Sequence, residues 1–484
     1  MIRVSGLLIV VALATAAPAL SARADRSVLA AMRVQLPAAE RASAVGLGSP
    51  VFTQQQYDAA RVLEGALPPL ERVSRSCRPL ARALAGYAAG LVTAAEGVDR
   101  LDGGRIAAGQ ARAASAGRRL DALGRTCRPG REPPASARFE AITSPRGGAV
   151  FYGDVVAVNH GDEARFYVNG ARVAAVASKA PVVRFRLARS PSWYRLEVRF
   201  VRDGRPVGRS RARIAYLLPP SARVARPVTG GDEAFARDLA GLGASFGGYA
   251  GIYVHDLRTG RAAGWNASAR FPAASTVKLG VLVAALARWR SERDDLRLDA
   301  ELRALTGWSS NLATNRLVRM LGGGSEAAGA RAVEAALRRM GATRSTYPQG
   351  YRVGTAAGGE PPLVSGRVTT ARDLARVLRE IAASAAGNRA SQRRTGLGPE
   401  RARYTLGLLL SWEARGDNVG LFAGALPRGT PVAQKNGWIS DSRHTAAIVF
   451  GRRGPVVAVL LTYRPGLSFA EAAALGRRLV RAAF

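Results

Sequence analysis

The stretch that decides the fold is FPAASTVKLGVLV, residues 271–283. An apolar run follows Lys278, so the pattern predicts a buried helix that begins at Ser275. Lys278 follows Ser275 by three residues, which places an amine beside a hydroxyl on one helix face. A lysine whose pKa is lowered by burial and cationic neighbours can remove the proton of a serine hydroxyl. The spacing therefore predicts a nucleophile and its base, with helix N–H groups available to an oxyanion.

The composition of the chain adds weight to this motif, which is weak by itself. The 484 residues include 71 Lys and Arg against 35 Asp and Glu, giving a formal charge of +36. Lys179, Lys278 and Lys435 are the only lysines, and arginine supplies every other basic residue. Because only an amine can lose its proton near neutral pH, a lysine kept in such a chain marks a place where arginine cannot serve. Lys179, in a loop-like stretch, is expected to be an exposed charge.

A second stretch, GWSSNLATNRL at residues 307–317, begins another predicted helix. Ser309 and Asn311 lie near its start and are candidates for a functional hydroxyl and amide. The alternative is that Ser309 or Ser310 is an N-cap, which is a common role for serine.

A third stretch, VAQKNGW at residues 432–438, is predicted to be a strand. Lys435 could hold a substrate carboxylate there, and Gly437 would let the backbone approach a substrate closely. The alternative is an ordinary strand lysine.

These three stretches resemble the S-x-x-K, S-D-N and K-T-G motifs of the penicillin-recognising serine enzymes, and class A β-lactamases most of all. The resemblance covers roughly residues 235–484. It implies that Ser275 is the acylated nucleophile, Lys278 its activating base and Ser309 a proton relay to the leaving nitrogen.

The resemblance also implies binding roles. Asn311 would bind the substrate amide, and Lys435 would support the carboxylate and the relay. Asn436 stands where a Thr or Ser usually bonds the carboxylate, and its amide can still donate. The backbone N–H groups of Ser275 and Trp438 would form the oxyanion hole.

Several residues depart from the family pattern. Ser310 replaces the usual Asp of the second motif, and no E-x-x-x-N loop is found. Gln349 falls about where the glutamate of that loop would be, and glutamine cannot act as a base. Glu360 is the nearby residue that could replace this glutamate. The alternative is that this part of the chain is a short loop of unrelated sequence. If the glutamate is missing, acylation survives while deacylation slows.

Residues 233–484 are predicted to form one α/β domain, with an antiparallel sheet, packed helices and a helical subdomain. Strands are predicted at 251–257, 261–266, 432–437, 444–450 and 455–463, and a terminal helix at 469–484. Strands from both ends of the region are therefore expected to share one sheet. The groove between the sheet and the helical part is the natural place for a site.

Residues 25–135 are predicted to be helical. The helices are expected near 55–72, 78–99 and 104–124. Cys77 and Cys127 lie in a repeated Arg-x-Cys-Arg-Pro pattern that brackets the last two. If these helices form an antiparallel hairpin, the cysteines meet at its open end, where a disulfide suits an oxidising compartment. Two free thiols are the alternative.

Residues 137–218 show alternating apolar and polar runs with turn pairs at Asn169-Gly170 and Asp203-Gly204. Such pairs are strong hairpin signals, and the region is predicted to be an immunoglobulin-like β-sandwich. A linker at 219–232 follows it.

The N-terminus predicts a signal peptide over residues 1–24. A basic start, an apolar run at 6–20 and an A-x-A site indicate cleavage after Ala24. An uncleaved membrane anchor is the alternative. We therefore expect a secreted, periplasmic or cell-wall-associated protein with no stable membrane span after cleavage.

The net charge and the small number of metal-ligating residues limit which partners can be expected. In that compartment anionic wall polymers and lipid head groups are the expected anions, and nucleic acid is not. A general arginine bias explains the charge equally well. His160, His255 and His444 lie too far apart for a local metal motif, so neither metal nor cofactor is expected.

The sequence as a whole predicts a secreted β-lactamase-like serine hydrolase that cleaves a β-lactam or a similar amide, a route to antibiotic resistance. The alternatives are a D,D-peptidase-like wall enzyme acting on peptidoglycan stem peptides, and a wall-binding or β-lactam-sensing protein with a weak site.

Overall fold

The structure is a computed structural model. It describes residues 24–484 except 45, 48–51, 69, 71–72, 101, 129–136, 223–229, 290–295, 352–365, 411–418 and 440. Glu360 and the predicted signal peptide up to residue 23 therefore lie outside the described residues. The chain divides into two compact units, residues 1–135 with 293–301 and residues 136–292 with 302–484.

The first unit is helical. Its elements are α1 (24–30), a π-helical turn (Ala31–Gln35), α2 (Leu36–Ser43), α3 (Phe52–Ala66), α4 (Arg78–Arg100), α5 (Gly103–Gly117) and α6 (Leu120–Thr126). Gly90 and Gly109 allow α4 and α5 to touch, since a Cβ on Gly90 would lie 2.5 Å from the nitrogen of Ala113. A disulfide joins Cys77, just before α4, to Cys127, just after α6. The bridge closes a long loop and stabilises this unit by about 2–4 kcal/mol.

The second unit begins with ten strands in two sheets. They are β1 (Ala137–Phe139), β2 (Ile142–Ser144), β3 (Val150–Phe151), β4 (Asp154–Val158), β5 (Glu163–Val168), β6 (Ala171–Ala177), β7 (Val182–Arg186), β8 (Ser192–Arg202), β9 (Arg205–Ser210) and β10 (Arg213–Leu217). One sheet has seven strands in the order β1-β9-β8-β10-β3, with β5 and β6 beside β8, and the other has the order β2-β4-β7. Asn169 and Asp203 have left-handed φ values of 51° and 48° in the β5–β6 and β8–β9 turns. The Asn-Gly and Asp-Gly pairs thus form tight hairpins, and the immunoglobulin-like classification stays a prediction.

The rest of the second unit is built on a six-stranded sheet with the order β11-β13-β12-β18-β17-β16. Its strands are β11 (Gly230–Gly231), β12 (Tyr249–Asp256), β13 (Arg261–Trp265), β16 (Val432–Ile439), β17 (Ser442–Gly451) and β18 (Gly454–Tyr463). A short pair, β14 (Phe271–Pro272) and β15 (Val368–Thr369), lies apart from it. The β12–β18 pairing joins strands from both ends of the region, as the sequence predicts.

Helices cover the sheet and form the part beside it. They are α7 (Glu233–Ala244), α8 (Lys278–Arg288), the part of α9 (Leu296–Gly307) that follows residue 301, α10 (Asn311–Leu321), α11 (Glu326–Arg339), α12 (Ala371–Ala385), α13 (Arg389–Thr395), α14 (Pro399–Leu410) and α15 (Phe469–Ala483). The first residues of α9, to 301, belong to the first unit. Apolar residues of α7 and α15, including Leu239 and Leu479, pack with Ile252 and Leu460 in one core. Helix α8 is buried along most of its length, which fixes its first turn. No helix among the described residues is long and apolar enough to cross a membrane.

Candidate active site

Ser275 lies in a tight turn that leads into α8. The N–H of Ala273 donates to the carbonyl of Arg367, which holds the chain just before the turn. The N–H of Lys278 donates to the carbonyl of Ser275 at 3.2 Å, a bond that spans only three residues. Helix α8 therefore begins at Lys278, later than the sequence predicts, because the turn is wound more tightly than an α-helix.

Lys278 is fully buried on the first turn of α8. Its Nζ donates to Oδ1 of Asn311 at 2.7 Å, to Oγ of Ser309 at 3.3 Å and to the carbonyl of Ser309. The ring of Tyr351 lies 4.4 Å from the same nitrogen. The amine is thus held beside the loop that carries the second motif. Asn311 keeps a separate NH₂ donor for a substrate amide.

The second motif divides its two serines between two roles. Ser310 is the N-cap of α10, because its Oγ accepts from the N–H of Ala313 at 3.0 Å. Ser309 has a left-handed φ of 63° and its Oγ accepts from Nζ of Lys435 at 2.7 Å. A non-glycine residue in that conformation is strained and persists only where its surroundings hold it. The structure therefore brings Lys278, Ser309 and Lys435 together.

Lys435 is fully buried on β16. Its Nζ donates to Ser309 Oγ and, at 2.9 Å, to the carbonyl of Asn436. Burial disfavours the charged amine and lowers the pKa of Lys435 to about 7. This lysine can therefore take up or release a proton near neutral pH, which an arginine could not do.

Gly437 brings β16 against the Ser275 turn. A Cβ at Gly437 would lie 2.7 Å from the backbone nitrogen of Ser275 and 2.9 Å from that of Thr276. No side chain fits there. Trp438 follows on the strand, with its ring 41% exposed and edge-on to Phe469. The oxyanion role of the Ser275 and Trp438 N–H groups stays a prediction, and this close approach supports it.

Asn436 does not lie where the sequence predicts a carboxylate ligand. Its side chain is buried, and its Oδ1 accepts from Oγ1 of Thr445 on the neighbouring strand at 2.8 Å. Because successive side chains of a strand point to opposite faces, Asn436 lies on the face opposite Lys435. The bond to Thr445 and the pleat of β16 hold the amide in the sheet, away from Ser309.

Arg443 is a second cation at this end of the sheet, and the sequence analysis missed it. It pairs with Trp438 across β16 and β17, and its guanidinium donates to the carbonyls of Ile439 and Ser442. A guanidinium at this position is a candidate for an anionic substrate group. In a chain so rich in arginine, no sequence signal distinguishes it.

Tyr351 is another site residue that the sequence analysis missed. Its N–H donates to Oδ1 of Asn315 at 2.7 Å, and its carbonyl accepts from Nδ2 of Asn315 at 2.6 Å. Its hydroxyl donates to the carbonyl of Ala274 at 2.8 Å, while its ring faces Lys278. The sequence did contain one signal for this contact. Asn315 follows Asn311 by one helical turn, so the two amides lie on one face of α10.

The placement of Tyr351 corrects the prediction made for Gln349. Gln349 is exposed, and its carbonyl accepts from Arg367 at 3.2 Å. Tyr351, two residues later, lies next to Lys278 instead. The side-chain amide of Asn315 bonds both backbone groups of Tyr351 and so fixes which residue of this loop takes that position. An aromatic residue therefore stands where the resemblance led us to look for a base.

His444 joins the sheet to the strand that precedes the Ser275 turn. It is fully buried, its Nε2 lies 2.8 Å from the carbonyl of Pro272, and its Nδ1 accepts from the N–H of Thr462 at 3.2 Å. Burial lowers the pKa of His444 to about 4, so the ring is neutral at neutral pH. This neutral ring helps to position β14 and thus the Ser275 turn.

Comparison with known proteins identifies the family of the region that carries these residues. A model described as the beta-lactamase enzyme family matches residues 234–306 and 295–484, slightly over half of the chain. The sheet, the terminal helix and the helical part beside them form a β-lactamase-like α/β fold. The chain belongs to the beta-lactamase enzyme family.

Solved structures of similar proteins each cover about half of the chain. A β-lactamase from Sphaerobacter thermophilus DSM 20745 is 19% identical, covers 52% of this chain and 95% of its own, and has a TM-score of 0.41. PBP-A is 19% identical, with 53% and 98% coverage and a TM-score of 0.41. A β-lactamase from Xanthomonas campestris pv. campestris is 22% identical, with 52% and 96% coverage and a TM-score of 0.39. No curated protein matches the chain.

Proposed function

We propose that residues 233–484 act as a serine hydrolase that opens a β-lactam or a related amide through an acyl-serine intermediate. One observation carries the proposal. Two buried lysines from different elements, Lys278 and Lys435, donate to the same hydroxyl, Oγ of Ser309, close to the Ser275 turn. Burying two amines costs desolvation free energy, and such groups are typical of sites that move protons.

Acylation is the first step of the proposed reaction. In its neutral form Lys278 donates at most two hydrogen bonds, and its lone pair takes the hydroxyl proton of Ser275 while the Ser275 oxygen bonds to the amide carbon. Negative charge on the amide oxygen faces the N–H groups of Ser275 and Trp438. Ser309 then gives its proton to the leaving nitrogen and regains one from Lys435, so the C–N bond breaks and an acyl-ester remains.

Deacylation needs a water molecule and a base to activate it. Tyr351 lies beside Lys278, and burial raises the pKa of its hydroxyl, so it stays protonated at neutral pH. A protonated phenol cannot remove a proton from water. We therefore expect the acyl-ester to be hydrolysed slowly.

Slow hydrolysis favours a second candidate function, a D,D-peptidase-like enzyme acting on peptidoglycan stem peptides. The observation behind it is the same Tyr351. A protein that only senses β-lactams would share the long-lived adduct. Both alternatives keep Ser275 as the nucleophile.

We also propose that the protein is exported by its N-terminal segment and that the helical and sandwich regions work at the cell wall. The charge of +36 supports contact with anionic wall polymers.

Intact mass spectrometry of the full chain with benzylpenicillin tests the proposal. We expect an adduct with the mass of the intact antibiotic, absent in Ser275→Ala and present in the neighbouring Ser310→Ala. A short-lived adduct supports a β-lactamase, and one that persists for hours supports the peptidase or the sensor. No adduct with benzylpenicillin or with an acyl-D-Ala-D-Ala peptide contradicts the proposed function.

A further inference from the structure

The peptide group between Ala274 and Ser275 is held in a strained orientation. Ala274 has a left-handed φ of 46°, which an alanine adopts only where the surrounding structure holds it. In a trans peptide the carbonyl and the N–H point in opposite directions. Whatever fixes the Ala274 carbonyl therefore also fixes the direction of the Ser275 N–H.

The hydroxyl of Tyr351 is bonded to that carbonyl, at 2.8 Å. On the other side of the peptide, the Ser275 nitrogen lies 2.7 Å from the point where a Cβ of Gly437 would stand. The nitrogen of this peptide group therefore lies against β16, while its oxygen is bonded to Tyr351.

Tyr351 is itself held rigidly. Both of its backbone groups bond the side chain of Asn315, and the preceding N–H of Gly350 donates to Glu326 at 2.8 Å. Its ring lies between the guanidinium of Arg367, at 4.0 Å, and the amine of Lys278, at 4.4 Å. A side chain fixed at the backbone and on both ring faces can hold another group in place.

We propose that Tyr351 is a positioning residue whose hydroxyl, through the Ala274 carbonyl, keeps the Ser275 N–H directed at the substrate oxygen. This inference rests on the proposed acylation of Ser275. Burial keeps the hydroxyl protonated, so it remains a donor throughout the working pH range. The Tyr351 hydroxyl, which bonds the Ala274 carbonyl, acts on the transition state through Ser275.

The test compares Tyr351→Phe with Tyr347→Phe. Both variants lose one buried phenol oxygen, but within the described part of the chain the Tyr347 hydroxyl has no hydrogen-bond partner. We expect Tyr351→Phe to acylate about tenfold more slowly with a fluorescent penicillin, with unchanged non-covalent affinity, because a misdirected donor loses part of its effect on the transition state. Tyr347→Phe should acylate at the wild-type rate. Equal rates for wild type and Tyr351→Phe would overturn the inference.

A second readout does not depend on acylation. Labelling alanine carbonyls with ¹³C and serine amides with ¹⁵N gives one NMR correlation for each Ala–Ser peptide group, and Ser275→Ala identifies the one at Ala274–Ser275. This correlation should move in Tyr351→Phe and stay in Tyr347→Phe. If wild type is not acylated, the proposed function fails, and the correlation alone decides whether Tyr351 holds the peptide. An unmoved correlation contradicts the inference in either case.

Discussion

The proposed catalytic region, residues 233–484, and the predicted sandwich, residues 137–218, bury charge in opposite ways. In the sandwich, Glu197 is buried with three guanidinium groups around it, from Arg195, Arg199 and Arg209. Burial alone raises its pKa, but the hydrogen bond and charge of Arg199, with the other two arginines, more than offset this and lower it. A buried charge compensated so fully has a structural role.

In residues 233–484, the contacts described for the two buried lysines are with uncharged groups. Lys435 donates to a hydroxyl and a carbonyl, and Lys278 donates to an amide oxygen, a hydroxyl and a carbonyl. Such groups stabilise an ammonium less than a carboxylate does, which is why burial brings the pKa of Lys435 to about 7. The difference shows that the type of partner, rather than burial alone, decides whether a buried group changes its charge near neutral pH.

Removing the amine of Lys278 should have the largest effect on activity. We expect Lys278→Met to reduce the acylation rate by about 10³-fold or more, because no base remains to take the Ser275 proton. Folding stability should be kept or raised, since a buried amine is replaced by an apolar chain of similar length. Stopped-flow acylation and urea unfolding measure the two quantities. Lys179→Met, at an exposed lysine, is the control. If Lys278→Met acylated at a rate within tenfold of wild type, Lys278 would not be the base that the comparison assumes.

Filling the space at Gly437 should have the next largest effect. A methyl group 2.7 Å from the Ser275 nitrogen displaces either β16 or the turn, so Gly437→Ala should lower the acylation rate by about 10²-fold. Gly424→Ala is the matched control, because a Cβ there meets nothing within 4 Å. Similar rates for the two variants would show that the close approach of β16 has no catalytic role.

The pH dependence of acylation should show a smaller effect of Lys435. With a pKa of about 7, Lys435 loses its charge as pH rises, and about a tenth of the molecules keep it at pH 8. Acylation that uses the Lys435 proton should fall about fivefold from pH 7 to 8 and about tenfold for each further pH unit. Lys435→Arg keeps its proton, so it should acylate slowly at every pH and show no such fall.

Stability should change in the opposite direction over the same range. The folded chain releases this proton near pH 7 and the unfolded chain only near the ordinary lysine value of 10.5. The unfolded state therefore binds more protons between these values, and the Lys435 contribution to stability rises with pH. If the acylation rate and the free energy of unfolding both fell as the pH rises above 7, the lowered pKa assigned to Lys435 would be contradicted.

The sequence predicts those parts of the fold that local patterns determine. The sheet strands and terminal helix are predicted to within a few residues because alternation and turn residues mark their ends. Lys278 and Lys435 are recognisable because arginine replaces lysine elsewhere. Tyr351 could not be predicted, since its place depends on a hydrogen bond to Asn315, 36 residues away.

The same limit applies at the sheet. His444 reaches the carbonyl of Pro272 across 172 residues, and no local pattern reports such a contact. Asn436 looked like a substrate ligand because its motif suggested so, yet the pleat of β16 and the hydroxyl of Thr445 decide where its amide lies. Motifs thus suggest candidate reacting groups, while the contacts that orient those groups depend on the tertiary structure.

Glu197 should have the smallest effect on acylation and a clear effect on stability. Glu197→Gln keeps the shape of the side chain but leaves three arginines around a neutral amide, so the sandwich should lose about 3 kcal/mol of unfolding free energy. Glu163→Gln on β5 is the control: it breaks a single, solvent-accessible pair with Arg165 and should change stability little. Urea unfolding followed by tryptophan fluorescence, beside the penicillin assay, measures both outcomes. If Glu197→Gln slowed acylation as strongly as the lysine variants do, compensated charge would no longer mark a structural role, and the contrast between the two regions would fail.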